Sequence, residues 1–267
     1  MEWNGKEHGM AATVLLGEMT REQVRERAPG ATLVIPIAAV EQHGPDLPVT
    51  VDCLICEAVA RGAAERAAAG QTEAPILVAP LVPYGYSPHH FPYAGVFSLG
   101  AETVLAVLRD LGESAVRSGF RRIFFLNGHG GNDELIRMAA REIGNRHAVL
   151  AGAASYWTLA MHRLRESEAG RELARVPGHA GDFEASLILH LRPELVDRQR
   201  PAPPKPVSGG ALPDTTVSMF TQAHQSMQRI DGYTDRSELA SAERGRQLLD
   251  VIQHAVAAAL LQFHRSV

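Results

Sequence analysis

Two cysteines in 267 residues exclude a disulfide framework, an iron–sulfur cluster and a four-thiolate zinc site. They stand as Cys53-x-x-Cys56 with no second pair to complete a zinc knuckle, and Leu54, Ile55, Ala58 and Val59 around them read as a helix burying small apolar groups. Both thiols are expected to be reduced. Basic charge is also in deficit: a net charge of −4 presents no cationic face to nucleic acid. No apolar run approaches the roughly 20 residues that span a bilayer. Residues 1–20 carry Glu2, Lys6, Glu7 and Glu18 without a long apolar stretch, which argues against a secretory signal. The expectation is a cytoplasmic protein without membrane contact. What remains, 45% hydrophobic and 21% charged residues, is the balance of a soluble globular chain. Its length suits one α/β domain over residues 1–267.

Thr20 to Gln23 is a capping-box pattern that opens a short helix ending near Pro29 and Gly30. The run Thr32 to Ile37 is short, branched and bounded by breakers, and reads as a buried strand. Helical spacing follows over 52–69, 101–118 and 132–145, with strands over 76–79, 122–126 and 148–151 between and after them. A last helix is expected from about Ser237 to Phe263. Alternation of strands with helices of this length implies βαβ units, a mostly parallel sheet and helices on both faces. Residues 196–235, with Pro201, Pro203, Pro204, Pro206, Gly209, Gly210 and Pro213, read as an extended arm within the domain.

In parallel sheets ligands collect beyond the carboxyl ends of the strands. Glu41-Gln42-His43-Gly44-Pro45 follows one strand, and Asn127-Gly128-His129-Gly130-Gly131-Asn132 follows another, so both belong to one sheet edge. His43, His129, His179 and the pair His89-His90 are the histidines to weigh. A phosphate cradle is the competing explanation of the glycine-rich loop, and the weaker one, because no Lys-Ser/Thr follows it and the dinucleotide fingerprint is incomplete. Asp182 and Glu184, near a helix start after His179, have an innocent explanation, since acids there complement the helix dipole; for Asp182 that explanation is preferred. Glu41, His43, Asp52 and His129 together supply two carboxylates and two imidazoles, a donor set suited to zinc, manganese or iron. It exceeds what one catalytic ion needs and points to two ions sharing a carboxylate.

These motifs, with Leu47-Pro48 after Gly44-Pro45 and the segment His179-Ala180-Gly181-x-x-Glu184-x-Ser186, resemble the creatininase (creatinine amidohydrolase) family in order and rough spacing from residue 31 to 195. The stretch from Gly232 through Leu239 to Gly245 resembles the family's C-terminal portion. The resemblance implies a three-layer α/β/α sandwich, two divalent ions per subunit with zinc as first choice, and a homohexamer. It also implies hydrolysis of a cyclic or linear amide, in a small molecule or a peptide, by a metal-bridging hydroxide. Glu41 and His129 would hold one ion, His43 the other, with Asp52 between them. His179 would carry the proton to the leaving nitrogen, and Trp157 would lie over the substrate. His90 falls in a loop resembling the family's substrate side, and Gly130 and Gly131 would face the substrate too.

Departures from the pattern set the expectation for substrate. Gly131 stands where creatininase has a metal-binding glutamate, so Glu184 is expected to complete the second ion's shell and to take part in catalysis. Gly178, Arg175 and Asp46 replace a glutamate, a tryptophan and a histidine of the pattern, which argues against creatinine itself. The same loop form occurs in relatives that deformylate a pyrimidine nucleotide or trim a peptide precursor. The alternatives are a non-catalytic, metal-stabilised assembly or binding protein of the same fold, or a relative of the peptidase or deformylase type.

Overall fold

The structure, a computed structural model, describes residues 13–69, 75–203 and 222–266. Residues 204–221 of the expected arm lie outside them. Four parallel strands, β1 (Thr32–Ile37), β2 (Ile76–Val78), β3 (Arg122–Asn127) and β4 (Leu150–Ser155), form a sheet in the order β2-β1-β3-β4. Strand side chains alternate between the two faces. Val34, Ile76, Val78, Phe124 and Leu126 pack with α2 (Val51–Ala68), α5 (Tyr156–Glu166), α7 (Asp182–Leu191) and α8 (Ala242–His264). Leu33, Ile35, Ile37, Leu77, Ile123 and Phe125 pack with residues of α3 (Ala101–Arg117) and α4 (Asp133–Arg146). This is the α/β/α sandwich.

Local signals explain the boundaries. In α1 (Arg21–Arg27) the Thr20 side chain accepts from the backbone of Gln23, whose side chain accepts from the backbone of Thr20. Strand β4 begins two residues later than its sequence suggests. Its Gly152, Ala153 and Ala154 have little strand preference of their own, and pairing with β3 sets its extent through Arg122 opposite Leu150 and Asn127 opposite Ser155. Residues 156–166, which carry no expected element, form α5. The last helix starts at Ala242 and not near Ser237: residues 237–239 make a single 3₁₀ turn, and the Ser241 side chain caps α8 by accepting from the N–H of Arg244. Cys53 and Cys56 are buried free thiols whose S–H groups face the carbonyls of Ala39, Ile37 and Leu126. Burial pushes Cys53 up to about 12 and Cys56 well above the usual thiol range, which suits packing and not redox chemistry.

Asp182 stands in the first turn of α7, where its side chain ties two helices together. It accepts from Ser186 at 2.9 Å and pairs with Arg244 of α8. Gly245 then allows the two helices to touch, because a Cβ there would stand 1.9 Å from the Ser186 carbonyl oxygen. Gly245→Ala is therefore expected to lower stability by about 2 to 3 kcal/mol, the scale of an overpacked core, read as a shift of the urea midpoint at constant slope. An unchanged midpoint would mean that the helices separate at no cost.

Sheet order places the site. From β1 the chain crosses to β2 on one side and then to β3 on the other, so β1 and β3 flank the switch point, with Ile37 paired to Asn127 at their ends. The two motif-bearing segments leave the sheet there, side by side.

Candidate metal centre

Helix α2 delivers Asp52 in its first turn, the β1 exit delivers Glu41 and His43, and the β3 exit delivers His129. All four are buried, with His43 completely so. His129 Nδ1 lies 3.2 Å from Glu41 Oε1 and 3.1 Å from Asp52 Oδ2. His43 Nε2 lies 3.2 Å from Asp52 Oδ1 and 3.7 Å from Glu184 Oε2. Asp52 thus touches both imidazoles, one with each oxygen.

Each histidine is held from behind. His129 Nε2 lies 3.1 Å from the Tyr86 carbonyl, and His43 Nδ1 lies 3.1 Å from the Glu41 carbonyl. A carbonyl only accepts, so one ring proton belongs on those nitrogens, and Nδ1 of His129 and Nε2 of His43, which face the carboxylates, are the nitrogens an ion would use once they have lost their own protons. This backing is the usual arrangement behind metal-ligating imidazoles. His43 Nε2, Glu41 Oε2 and Asp52 Oδ2 are buried without a hydrogen-bond partner among the described residues, despite the short separations. Of the three, Glu41 Oε2 also has no ion-pair partner among the described residues, and burying it so costs about 1 to 3 kcal/mol. Atoms that crowd together yet do not point at one another are aimed at a common third point. Glu41, His43 and Asp52 can offer ligand atoms within 4.8 Å of one another, as can His43, His179 and Glu184. The residues therefore fit divalent ions.

The charges agree with that reading. Burial opposes the imidazolium of His43, but Asp52 and Glu184 outweigh it and push the group up to about 9. Burial likewise opposes charge on Glu41, yet His129 and His90 hold its carboxyl well below the usual range. Glu184 is pushed up by burial, with Asp52 adding to the shift. Without metal the centre stores protons, and an ion must displace them.

His179 is different in kind. Burial and the charges of His43 and His90 hold it well below the ordinary histidine range, so it is neutral. Its Nε2 lies 2.8 Å from the Gln42 carbonyl and carries the proton, which leaves Nδ1 bare and 3.7 Å from Glu41 Oε1. His90, expected against the substrate, lies behind Glu41 as well as beside the cavity. Its Nε2 is 3.2 Å from Glu41 Oε1 and its Nδ1 accepts from Gln42 Nε2 at 2.8 Å.

Gln42 is the residue that sequence reasoning passed over. It donates to His90 and to the Gly232 carbonyl, and accepts from the N–H of Gly44. Its place between Glu41 and His43 was visible, but its partner 190 residues away was not. His89, one of the histidines to weigh, stacks on His129 at 5.6 Å and is lowered to about 4 by burial and by His90 and His129. With Glu41 and His129 it forms a further set of potential ligands.

Gly131 could not carry the side chain that the family pattern puts there. A Cβ would stand 2.1 Å from the Tyr86 carbonyl oxygen, the same oxygen that backs His129. At Gly130 nothing lies within 4 Å, so that backbone is open to the space in front of the site. Trp157, on the first turn of α5, lines a cavity of about 1070 Å³ together with Glu41, Asp52, His129 and His179. The returning limb of the arm closes it from behind: Thr234 Oγ1 accepts from the N–H of His179 at 2.8 Å, and Gln222, Ser226 and Met227 line the wall.

The chain is 36% identical over 186 residues to a mycofactocin precursor peptide peptidase of Mycobacterium ulcerans, a match covering 68% of this chain and 66% of that protein. It thus spans just under two thirds of that relative's length. A creatinine amidohydrolase of Pseudomonas putida is 30% identical over 274 residues, covering 94% of this chain and 97% of the other. The solved structure "Creatininase Mn" superposes with a TM-score of 0.72 at 28% identity, covering 94% and 98% of the two chains. The family model for creatinine amidohydrolase matches residues 17–260, and the chain belongs to the creatininase family.

Proposed function

We propose that the chain is a metal-dependent hydrolase of amide C–N bonds, acting on an extended amide such as a peptide and not on creatinine. The observation that carries this reading is the gathering of buried ligand atoms of Glu41, His43 and Asp52 within 4.8 Å of one another, beside a neutral histidine. Glu41 and His129 would hold one divalent ion, His43 and Glu184 a second, and Asp52 would contribute one oxygen to each. Ions so held would acidify a water to near neutral pH and polarise a carbonyl.

The chain's own groups do the rest. His179 Nδ1, bare and facing the cavity, takes the proton that attacking water gives up as its oxygen bonds to the amide carbon. The same atom returns that proton to the nitrogen as the C–N bond breaks. Glu184, raised by burial, sits near enough to hold a ligand position or to share the proton. Gln42 fixes His90, which steadies Glu41. Trp157 offers a flat apolar face to the acyl or amine portion of the substrate. Similarity to a peptidase at 36% identity and a cavity of about 1070 Å³ support an extended substrate.

Metal analysis tests the reading directly. Purified protein is expected to carry close to two divalent ions per chain, to cleave members of an amide panel, to lose that activity on chelation, and to regain it with zinc or manganese. A folded protein with less than one ion per chain and full activity after chelation would end the proposal.

A further inference from the structure

The cavity changes character with distance from the candidate metal centre. Trp157, Met161 and Arg165 line it from one stripe of α5, each four residues beyond the last. Helix α5 starts directly where β4 ends, at the sheet edge that holds the centre. Arg165 therefore stands about 12 Å further out along the helix than Trp157. Two more arginines line the same wall: Arg171, in the short helix over Glu168–Arg171, and Arg175, in the segment leading to His179. Arg175 lies where the resemblance puts a tryptophan. The chain doubles back at Gly178, where φ is +66°, and a Cβ there would lie 3.4 Å from the Arg175 Cβ.

What sets these guanidinium groups apart is their place on the cavity lining; elsewhere some exposed arginines, such as Arg117 and Arg141, also stand outside any ion pair among the described residues, while others are paired. Arg61, Arg192 and Arg246 each pair with a neighbouring glutamate. Among the described residues no carboxylate forms an ion pair with Arg165, Arg171 or Arg175. Arg171 uses its side chain on the carbonyls of Glu166 and Ser167, and Arg175 acts on Asp235 only at longer range. Besides the inner carboxylates Glu41, Asp52 and Glu184, the cavity wall has one acid, the exposed Glu134. Three arginines lining one cavity beyond an apolar stripe suit the paired oxygens of a carboxylate or a phosphate.

We propose that this outer wall is an anion subsite, so that the substrate is an amide with an apolar portion against Trp157 and Met161 and a carboxylate or phosphate held by Arg165, Arg171 and Arg175. The identity of the scissile bond rests on the hydrolase reading above; the subsite does not. A pooled library tests the two separately. It contains tetrapeptides as free acids and as C-terminal amides, and N-acylated amines with and without a phosphate.

Metal-loaded protein is incubated with the pool, retained members are read by ultrafiltration and mass spectrometry, and cleaved members are read from the same mixture. Retention is expected to favour anionic over matched neutral members by about tenfold or more. The preference should weaken as salt is raised and collapse towards unity in the triple variant R165A/R171A/R175A, whose far-UV spectrum reports the fold. Preference for acids over amides would assign a carboxylate, and preference for the phosphorylated members a phosphate. Cleavage without anionic preference, an unaltered preference in the triple variant, or no retention at all would overturn the subsite. Selective retention without any cleavage would leave the subsite standing and defeat the hydrolase reading.

Discussion

Asp52→Asn is expected to reduce bound divalent metal from two ions per chain to one or fewer and to lower kcat/KM by about 10³-fold or more, roughly 4 kcal/mol of transition-state stabilisation. Asp52 brings its two oxygens within 3.2 Å and 3.1 Å of the ring nitrogens of His43 and His129. Asparagine keeps the shape but turns one oxygen into an N–H donor aimed at a nitrogen that must stay bare. The variant also removes the charge that does most to hold His43 up at about 9 against burial. Its metal-free form therefore buries imidazole nitrogens with less compensation and should unfold more easily at neutral pH. Elemental analysis and steady-state kinetics on protein with a native circular dichroism spectrum check the expectation. Two ions retained with activity near wild type would remove Asp52 from the centre.

The path from sequence to site was short where the signal was local. Thr32 to Ile37 is a run with no polar interruption beyond Thr32, and it forms a strand buried throughout; Arg122 to Leu126 behaves almost alike. Because strand ends in parallel sheets mark ligand sites, Glu41, His43 and His129 could be placed on one edge before any coordinates. Asp52 and Glu184 converge on that edge as well, since both lie in the first turns of helices that start there.

Long-range partnerships were not legible. Gln42 reads as one polar residue between two proposed ligands until Gly232 is brought beneath it. Residues 222–235 read as part of a Pro/Gly-rich excursion, yet Tyr233 is buried and Thr234 holds His179. Helix α5 escaped notice because Tyr156 to Glu166 presents a mixed pattern, with its N-cap Ser155 bonded to Asn127 and Asp133 instead of to the helix: one side, with Ala160 and Leu164, meets the core while Trp157, Met161 and Arg165 line a cavity. A helix with two unlike inner faces blurs the period that reveals helices.

Gly131 bears on where the remaining ligand of the proposed second ion would come from. With a Cβ at 131 excluded by the Tyr86 carbonyl, a carboxylate cannot enter from the loop without displacing the acceptor that orients His129. The opposite wall is free to supply one. Gly181 ends the turn before α7, and Ala180, with φ +50°, directs its N–H onto Glu184 Oε2 at 2.6 Å. That hydrogen bond holds the carboxylate 3.7 Å from His43 Nε2.

Glu184→Gln should accordingly lose the second ion and keep the first, bringing the metal content from two per chain to one, with kcat lower by about 10²-fold or more. Glutamine retains an oxygen to accept from Ala180, so the fold of the turn survives while the anionic ligand is lost. The pH dependence gives a second readout. In the metal-free protein burial and Asp52 raise Glu184, and the surrounding carboxylates raise His43 from 6.5 to about 9. Both groups must shed a proton before an ion can bind, so affinity for the second ion rises with pH through the neutral range and levels off above about 9. Glutamine has no proton to give up, so any weak second-ion binding that the variant shows at high metal should have a slope shallower by one proton. Calorimetric titration of zinc or manganese into metal-free protein at several pH values measures stoichiometry and slope together. Unchanged stoichiometry with an unchanged slope would remove Glu184 from the ligand set. Unchanged stoichiometry with kcat still depressed would move it to proton transfer beside His179.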